Sequence, residues 1–323
     1  MQVRNSDDPV PGDGQVVVDV RSSGLNFADI AARMGLYPAA PKPPFIPGLE
    51  AAGIVRHGNG RGFSPGDRVV GFRMFGAQSD TVAFEKDHLF RIPDEMSFEE
   101  AAALPLNYLT AYHALLNLAN LKSGDVVLVH SAAGGVGTAA CQLALHRGAV
   151  VVAVAGGPEK SDYLKGLGVE RIIDRKKVDF AAEVKGNFPD GVDVILDPVG
   201  GRTFKKNMKL LAPGGRIVAY GVADMMSYGR VNIFKLLKAV ITSPRVNVLN
   251  MMRYNFGVLG FDLGGMEKKR DLLMNTFNNV LTDYAAGVVK PMVTKIYGPE
   301  EVAEAHRFLQ SGKSFGKLII NWN

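Results

Sequence analysis

The segment VVLVHSAAGGVGTAACQLA, residues 126–144, places an apolar run, a turn of small residues and a helix-forming run in direct succession. Within it Ala132, Gly134 and Gly137 stand at relative places one, three and six. Small residues at that spacing allow a tight turn, close approach of the backbone to a bound group, and packing of the following helix on the strand. The first helical turn, at Ala133, Gly134, Gly135 and Val136, then presents backbone N–H groups and a partial positive charge to an anion. The chemistry that needs all of this at once is the pyrophosphate of a dinucleotide. Such a spacing is weak evidence alone and far more specific between a strand and a helix.

The next apolar run tests which dinucleotide. An acidic residue at its tip would take the ribose hydroxyls of NAD. The chain reads VVAVAGGPEK there, with Gly156 and Gly157 at the tip and Glu159 only later, beside Lys160. Arg175 follows the third run, in RIIDRKK. An additional ribose phosphate would meet two cations, so the expected cofactor is NADPH.

Other catalytic chemistries lack residues. The six histidines (57, 88, 113, 130, 146 and 306) show no metal-ligand spacing, and no GxSxG nucleophile elbow occurs. The GKS at 312–314 lacks the upstream glycine of a phosphate loop. The single cysteine, Cys141, excludes an internal disulfide and any zinc site needing two thiolates, and points to a reducing compartment. The start MQVRNSDDPV carries no apolar signal core, and no run reaches the length of a spanning helix. A cytoplasmic location is the expectation.

The positioning elements change character along the chain. At roughly 150 residues per domain, 323 residues suggest two domains. Hydrophobic residues at 47% and charged residues at 21% exclude disordered and coiled-coil classes. VVVDV (16–20) and GDRVVGF (66–72) read as strands, while PAAPKPPFIPG (38–48) is too proline-dense for regular structure. Ser97 with Glu100 forms a capping box for a helical stretch that Pro105 should split. From Asp125, VVLVH, VVAVA, RIID, VDVILD and GRIVAYG alternate with helical segments, which predicts strands buried on both faces of a doubly wound parallel sheet. EKKRDLLMNTFNNVLTDYAAG reads as one long helix stopped at Gly287. The strands at 292–297 and 317–322, with the helix between them, are expected to fold back on the first domain. The expected division is 1–106 with 286–323, and 107–285.

Charge is uneven. Residues 201–323 carry a net +10 and residues 1–200 a net −5, with no acid between Asp224 and Asp262. A basic face of that kind suits a solvated surface, nucleic acid, an anionic membrane or a phosphorylated cofactor.

SGLNFADIAARMGLYP, IPGLEAAGIV, PGDRVVGF, EEAAALPLNYLTAYHAL, VLVHSAAGGVGTAA and VILDPVGG occur in an order that resembles the medium-chain dehydrogenase/reductases. The resemblance is to the zinc-free quinone oxidoreductase (zeta-crystallin) branch. LPLNYLTAYHALLNLANL, and YGVADMMSYGR through VLGFDLG, are similar to the vesicle amine transport protein subgroup. The match spans nearly the whole chain. It implies a GroES-like, mostly β domain closed by the C-terminal tail, beside a Rossmann domain of α/β class, with the site in the cleft between them. It also implies zinc-independent hydride transfer from NADPH to a quinone or an α,β-unsaturated carbonyl, by a homodimer with no nucleic-acid partner.

The resemblance assigns residues by position. Asn26 and Leu49 stand where zinc-dependent relatives carry a Cys and a His ligand, and neither is a usual zinc ligand, so no metal is expected. Asn26 would polarise a carbonyl or place the nicotinamide. Tyr37 would be a phenol near substrate, or else a loop residue packed on the proline-rich segment. Asp29 would fix the NFAD turn. Thr110 would face the nicotinamide, and Ala133, Gly134, Gly135 and Val136 would wrap the pyrophosphate. Gly156, Gly157, Lys160 and Arg175 would hold the adenosine phosphate end. Val199, Gly201, Tyr220, Gly221, Val222, Ala223, Phe261, Asp262 and Leu263 would line the nicotinamide side.

Three departures stand out. Ala31 replaces a tyrosine that would stack on the cofactor, so a roomier pocket is expected. Gly156 and Gly157 replace serines, which leaves phosphate recognition to Lys160 and Arg175. Relatives also begin about a dozen residues earlier with a strand that has no counterpart here, and its absence would leave a sheet edge without a partner. The competing reading is a weakly catalytic or non-catalytic nucleotide-binding protein that meets anionic membranes through the basic, apolar segment 230–258. In quinone reductases the same residues would form a subunit interface, which is the reading preferred here.

Overall fold

The structure, a computed structural model, describes residues 1–58, 62–223 and 245–322. Cα packing divides the chain into two compact units. One holds Met1–Leu109, Lys269–Tyr284 and Pro291–Asn323, and the other Thr110–Lys268 with Ala285–Lys290.

The first unit begins with β1 (Gln15–Leu25), α1 (Phe27–Arg33), β2 (Glu50–His57), β3 (Arg68–Phe72), β4 (Thr81–Glu85) and β5 (Leu89–Arg91). Residues 38–48 form an irregular loop, as their prolines require. Alternate side chains of the strands, among them Val16, Val18, Val55, Val69, Val82 and Phe84, meet in a buried core. The Ser97 Oγ accepts from the Glu100 N–H at 3.2 Å, and Glu100 Oε2 accepts from the Ser97 N–H at 3.2 Å, opening α2 (Phe98–Ala102). The helical run breaks before Pro105, whose missing N–H cannot continue it, and restarts as α3 (Pro105–Tyr112).

The second unit alternates strands and helices: β6 (Val126–His130), α4 (Gly135–His146), β7 (Val150–Ala155), α5 (Pro158–Gly166), β8 (Arg171–Asp174), α6 (Phe180–Asn187), β9 (Val192–Asp197), α7 (Gly201–Asn207) and β10 (Leu211–Ala219). After the undescribed residues come α8 (Val248–Tyr254) and β11 (Gly257–Gly260). The six strands run parallel in the order β8-β7-β6-β9-β10-β11. That is the doubly wound order in which the direction of winding reverses beside β6. Val127, Leu128, Val129, Val152, Val154, Ile195 and Leu196 are buried, as two-sided coverage by helices demands.

The tail supplies α9 (Arg270–Ala285), β12 (Val293–Tyr297), α10 (Val302–Gln310) and β13 (Lys317–Asn321). β13 pairs antiparallel with β1 and parallel with β12, completing the order β12-β13-β1-β2-β3-β5, with β4 on β1. Gly287, at φ +72°, lies just beyond α9 in the left-handed region that favours glycine.

The division differs from the expected one at α9, which the pattern had placed with the second unit. Its buried face, Leu273, Phe277 and Val280, recurs at helical spacing and needs an apolar partner. Phe277 finds Phe90 and Phe72 edge-on, with centroids 4.6 and 6.2 Å away. Tyr284 Oη donates to Glu100 Oε2 at 3.4 Å, fixing the far end of the same helix in the first unit.

Candidate functional site

The turn after β6 takes the conformation its small residues allow. Ser131 adopts φ +52°, Gly134 N–H donates to Ser131 O at 2.8 Å, and Ala132 N–H donates to Val154 O at 3.1 Å. A Cβ on Gly137 would stand 2.6 Å from Ala132 Cα, with the Ser131 carbonyl oxygen closer still, so only glycine fits. Gly134, Gly135 and Val136 are partly exposed at the start of α4, where backbone N–H groups have no intrahelical acceptor. This is a cradle for an anion at the carboxyl end of the parallel strands, where the winding reverses.

The next turn gathers charge. Gly157 has φ +99°, and a Cβ on Gly156 would meet Lys176 Cε at 3.3 Å and Arg175 Nε at 3.4 Å. Burial lowers the pKa of Lys160, and repulsion by Arg175 and Lys176 lowers it further, with Glu159 opposing. Lys160, Arg175 and Lys176 thus converge on one turn, where a dianion would relieve their repulsion. Lys176 was missed in the sequence reading; its adjacency to Arg175 in RIIDRKK was the available signal. A carboxylate also stands here, Asp174 at the tip of β8. Its Oδ1 is engaged by the N–H groups of Lys176 at 3.0 Å and Gly157 at 3.2 Å, and these hold its pKa down. It organises the turn from the third strand and does not occupy the tip of the second, where a ribose-binding acid belongs.

On the other side of the winding reversal three loops lie together. Asp197 Oδ1 accepts from Val199 N–H at 2.7 Å and Gly200 N–H at 2.8 Å. Asp197 Oδ2 accepts from Asn207 Nδ2 at 2.9 Å, so Asn207 Oδ1 must accept from His130 Nε2, 2.9 Å away. Tyr220 N–H donates to Asp197 O, Ala223 N–H to Pro198 O and Phe261 N–H to Ala219 O. A Cβ on Gly221 would meet Pro198 O at 2.7 Å, and Gly200 lies against Val222. These bonds and contacts hold Val199, Tyr220, Gly221, Val222, Ala223 and Phe261 in neighbouring loops, with Gly201 opening α7. Burial raises the pKa of the Tyr220 hydroxyl, and the Asp197 charge adds to this, so it stays protonated. Leu263 opens a short 3-10 turn, and exposed Asp262 accepts from Gly264 N–H at 3.1 Å, which makes Asp262 a turn residue.

Thr110 is buried on α3. Two features beyond it were not foreseen from the sequence. The turn that follows, His113–Leu118, is a π-helix, and wide turns of this kind occur often at functional sites. His113 Nδ1 lies 3.2 Å from Asn117 Nδ2, and its ring stands edge-on to Phe261 with centroids 4.8 Å apart. Burial lowers the His113 pKa, so the ring is neutral.

The first unit holds a polar cluster at the start of α1. Asn26 caps the helix, and its N–H donates to Asp29 Oδ2 at 2.8 Å, while Gly48 N–H donates to Asp29 Oδ1 at 2.9 Å. Asp29 thus fixes the turn; complete burial pushes its pKa up to about 6 against those two hydrogen bonds. The Asn26 side chain meets Glu50 and Lys317, both buried and paired with each other. Neither was singled out from the sequence. Tyr37 is not part of this cluster. Its ring packs edge-on against Phe75 at 5.9 Å, beside Phe45 and Ala40 of the proline-rich loop.

A GroES-like β unit closed by the tail, and a six-stranded parallel unit with a glycine turn after its first strand, define the class of medium-chain dehydrogenase/reductases. Family models agree: one described as an alcohol dehydrogenase GroES-like domain matches residues 12–94, and one described as a zinc-binding dehydrogenase matches residues 135–259. The rat synaptic vesicle membrane protein VAT-1 homolog is 38% identical over 99% of this chain and 80% of its own length. The crystal structure of the human VAT-1 homolog-like protein superposes with a TM-score of 0.84 at 32% identity, over 98% of this chain and 91% of that one. The quinone oxidoreductase of Thermus thermophilus, solved also with NADPH, gives 0.84 at 32% identity over 99% and 96%. The chain belongs to the medium-chain dehydrogenase/reductase superfamily, an oxidoreductase family, in the branch of the VAT-1 homologues and quinone oxidoreductases.

The zinc named in the family description does not fit Asn26 and Leu49, the two positions that the resemblance assigns to its ligands. Leu49 is buried against Ala32 and Phe75 and offers no donor atom. Asn26 Oδ1 accepts from the Lys317 ammonium at 2.7 Å, so a cation already occupies that oxygen. Among the described residues no group of three or more His, Cys, Asp or Glu side chains could hold a metal ion. A dinucleotide does fit, because the Gly137 cradle and the cations over Gly156 each match one part of it.

Proposed function

We propose that this protein is a zinc-independent reductase that passes hydride from NADPH to a quinone or an α,β-unsaturated carbonyl. The observation that carries this reading is the Asn26 amide, bonded to an ammonium where a metal-dependent relative needs a ligand. An acceptor carbonyl at Asn26 has to be polarised by an N–H donor. That suffices for conjugated acceptors, whose negative charge after hydride addition is delocalised. NADPH, when bound, supplies the hydride. The chain's own part is to hold the diphosphate on the α4 N-terminus, take the ribose phosphate on Lys160, Arg175 and Lys176, and keep the Val199–Gly201 loop in place through Asp197, Asn207 and His130.

The test is oxidation of NADPH and NADH against a panel of quinones, enones and saturated aldehydes. Turnover is expected with quinones or enones and with NADPH preferred, and little with saturated aldehydes. Absence of turnover with every quinone and enone would overturn the reading.

A second feature concerns partners. On α8, Val248, Leu249, Met252 and Tyr254 are 67, 73, 70 and 58% exposed, beside the edge strand β11. Among the described residues β11 pairs only with β10, and a sheet edge flanked by apolar side chains is a surface that needs covering. We assign it to a second copy of this chain and not to a membrane. Residues 230–244 of the basic, apolar segment lie outside the described residues. No described helix is long and apolar enough to cross a membrane. Sedimentation equilibrium should show a dimer that Leu249→Glu with Met252→Glu converts to monomer. A monomeric wild type that co-sediments with anionic vesicles in a salt-sensitive way would favour the membrane reading instead.

A further inference from the structure

Glu50 and Lys317 form an ion pair inside the first unit, 0 and 3% exposed. Buried pairs of this kind add little net stability, because desolvation offsets most of the attraction. Their surroundings suggest a different use. Glu50 Oε2 accepts from Leu106 N–H at 2.7 Å, while Glu50 Oε1 accepts from Asn26 Nδ2 at 2.7 Å and from Lys317. Lys317 Nζ also donates to Asn26 Oδ1 at 2.7 Å. Room for the carboxylate comes from Gly24, where a Cβ would stand 2.8 Å from Glu50 Cδ.

The two charges decide which way the amide faces. A carboxylate only accepts and an ammonium only donates, so Nδ2 must face Glu50 and Oδ1 must face Lys317. The backbone of Asn26 is held separately, by Asp29. One Nδ2 hydrogen is spent on Glu50, and the second points elsewhere on a half-buried residue. The carboxylate fixes the facing of the amide, and the ammonium on its oxygen favours the charge-separated resonance form. That makes the second N–H a stronger donor.

We infer that Glu50 and Lys317 are positioning residues, which lock and polarise the Asn26 amide so that its second N–H donates to the acceptor's carbonyl oxygen. The inference rests on the reductase reading above for its consequence in turnover, but the locking itself is testable without it. A merely structural pair should be replaceable by a neutral pair with no catalytic effect, since such exchanges often leave stability unchanged or raise it.

The experiment compares wild type, the double variant Glu50→Gln with Lys317→Met, Asn26→Leu, and the triple variant. In the double variant kcat should fall about 10- to 100-fold, less than the roughly 10²- to 10³-fold that removal of an oxyanion donor costs, with NADPH affinity unchanged by calorimetry. The triple variant should be no slower than Asn26→Leu, because the pair acts only through that amide. In parallel, the Asn26 side-chain ¹⁵NH₂ signal, identified by its loss in Asn26→Leu, should exchange slowly in wild type and rapidly in the double variant. An unchanged kcat in a folded double variant, or equal exchange in both, overturns the inference. If the wild type reduces no acceptor, the reductase reading fails, and the amide exchange alone then decides whether the pair locks Asn26.

Discussion

Replacing Lys160 and Arg175 together by alanine is expected to weaken NADPH binding by roughly 10²- to 10⁴-fold and NADH binding by less than about 3-fold. The physical basis is two charge-assisted hydrogen bonds to one phosphate, each contributing roughly 1.5–3 kcal/mol. NADH lacks that phosphate and has nothing to lose. Burial, and then repulsion from Arg175 and Lys176, lowers the Lys160 pKa, so a dianion at this turn would stabilise all three cations. Adding Lys176→Ala should carry the loss further, because Lys176 also lies over Gly156. Calorimetric titration with both coenzymes measures the ratio directly. A ratio unchanged in the double variant would place phosphate recognition elsewhere.

The second large effect is expected at Gly137. A valine there would drive its Cβ into the turn backbone, Ala132 Cα at 2.6 Å and the Ser131 carbonyl oxygen. These are backbone atoms, which cannot yield as a flexible side chain would. The chain would have to open the turn, which is the same structure that carries the anion-binding N–H groups. Gly137→Val should abolish coenzyme binding. The milder Gly137→Ala should cost on the order of 1–3 kcal/mol of stability, as overpacking does, and at least about 10-fold in affinity for both coenzymes. Gly166→Ala in α5, where a Cβ meets nothing within 4 Å, is the control and should leave binding alone. Thermal melts with calorimetry on the three variants separate the outcomes. Tight binding by Gly137→Ala would mean that the diphosphate does not use this turn.

Several parts of the site could be read directly from the chain because their causes are local. Val127 to Val129 and Val194 to Leu196 are continuous apolar runs, and a strand covered on both faces needs such runs whatever its neighbours are. The turn at Ser131–Gly137 likewise declares itself, since close backbone contact within seven residues admits only small side chains. Ser97 and Glu100 cap α2 through bonds three residues apart. Asn26 and Tyr37 were named by resemblance, but only the structure separates an amide held in a polar cluster from a ring packed on Phe75.

The order of residues therefore sufficed for the class of fold and for the glycine turn after β6, whose causes are local along the chain. The remainder came from long-range pairing. Lys317 reaches Glu50 across 267 positions because β13 pairs with β1 and brings the tail beneath α1. α9 joins the first unit because Phe277 meets Phe72 and Phe90 there. Nothing in either segment encodes its partner: a buried lysine or an apolar helix face specifies only that it must be covered. Which element covers it depends on how the sheets pair.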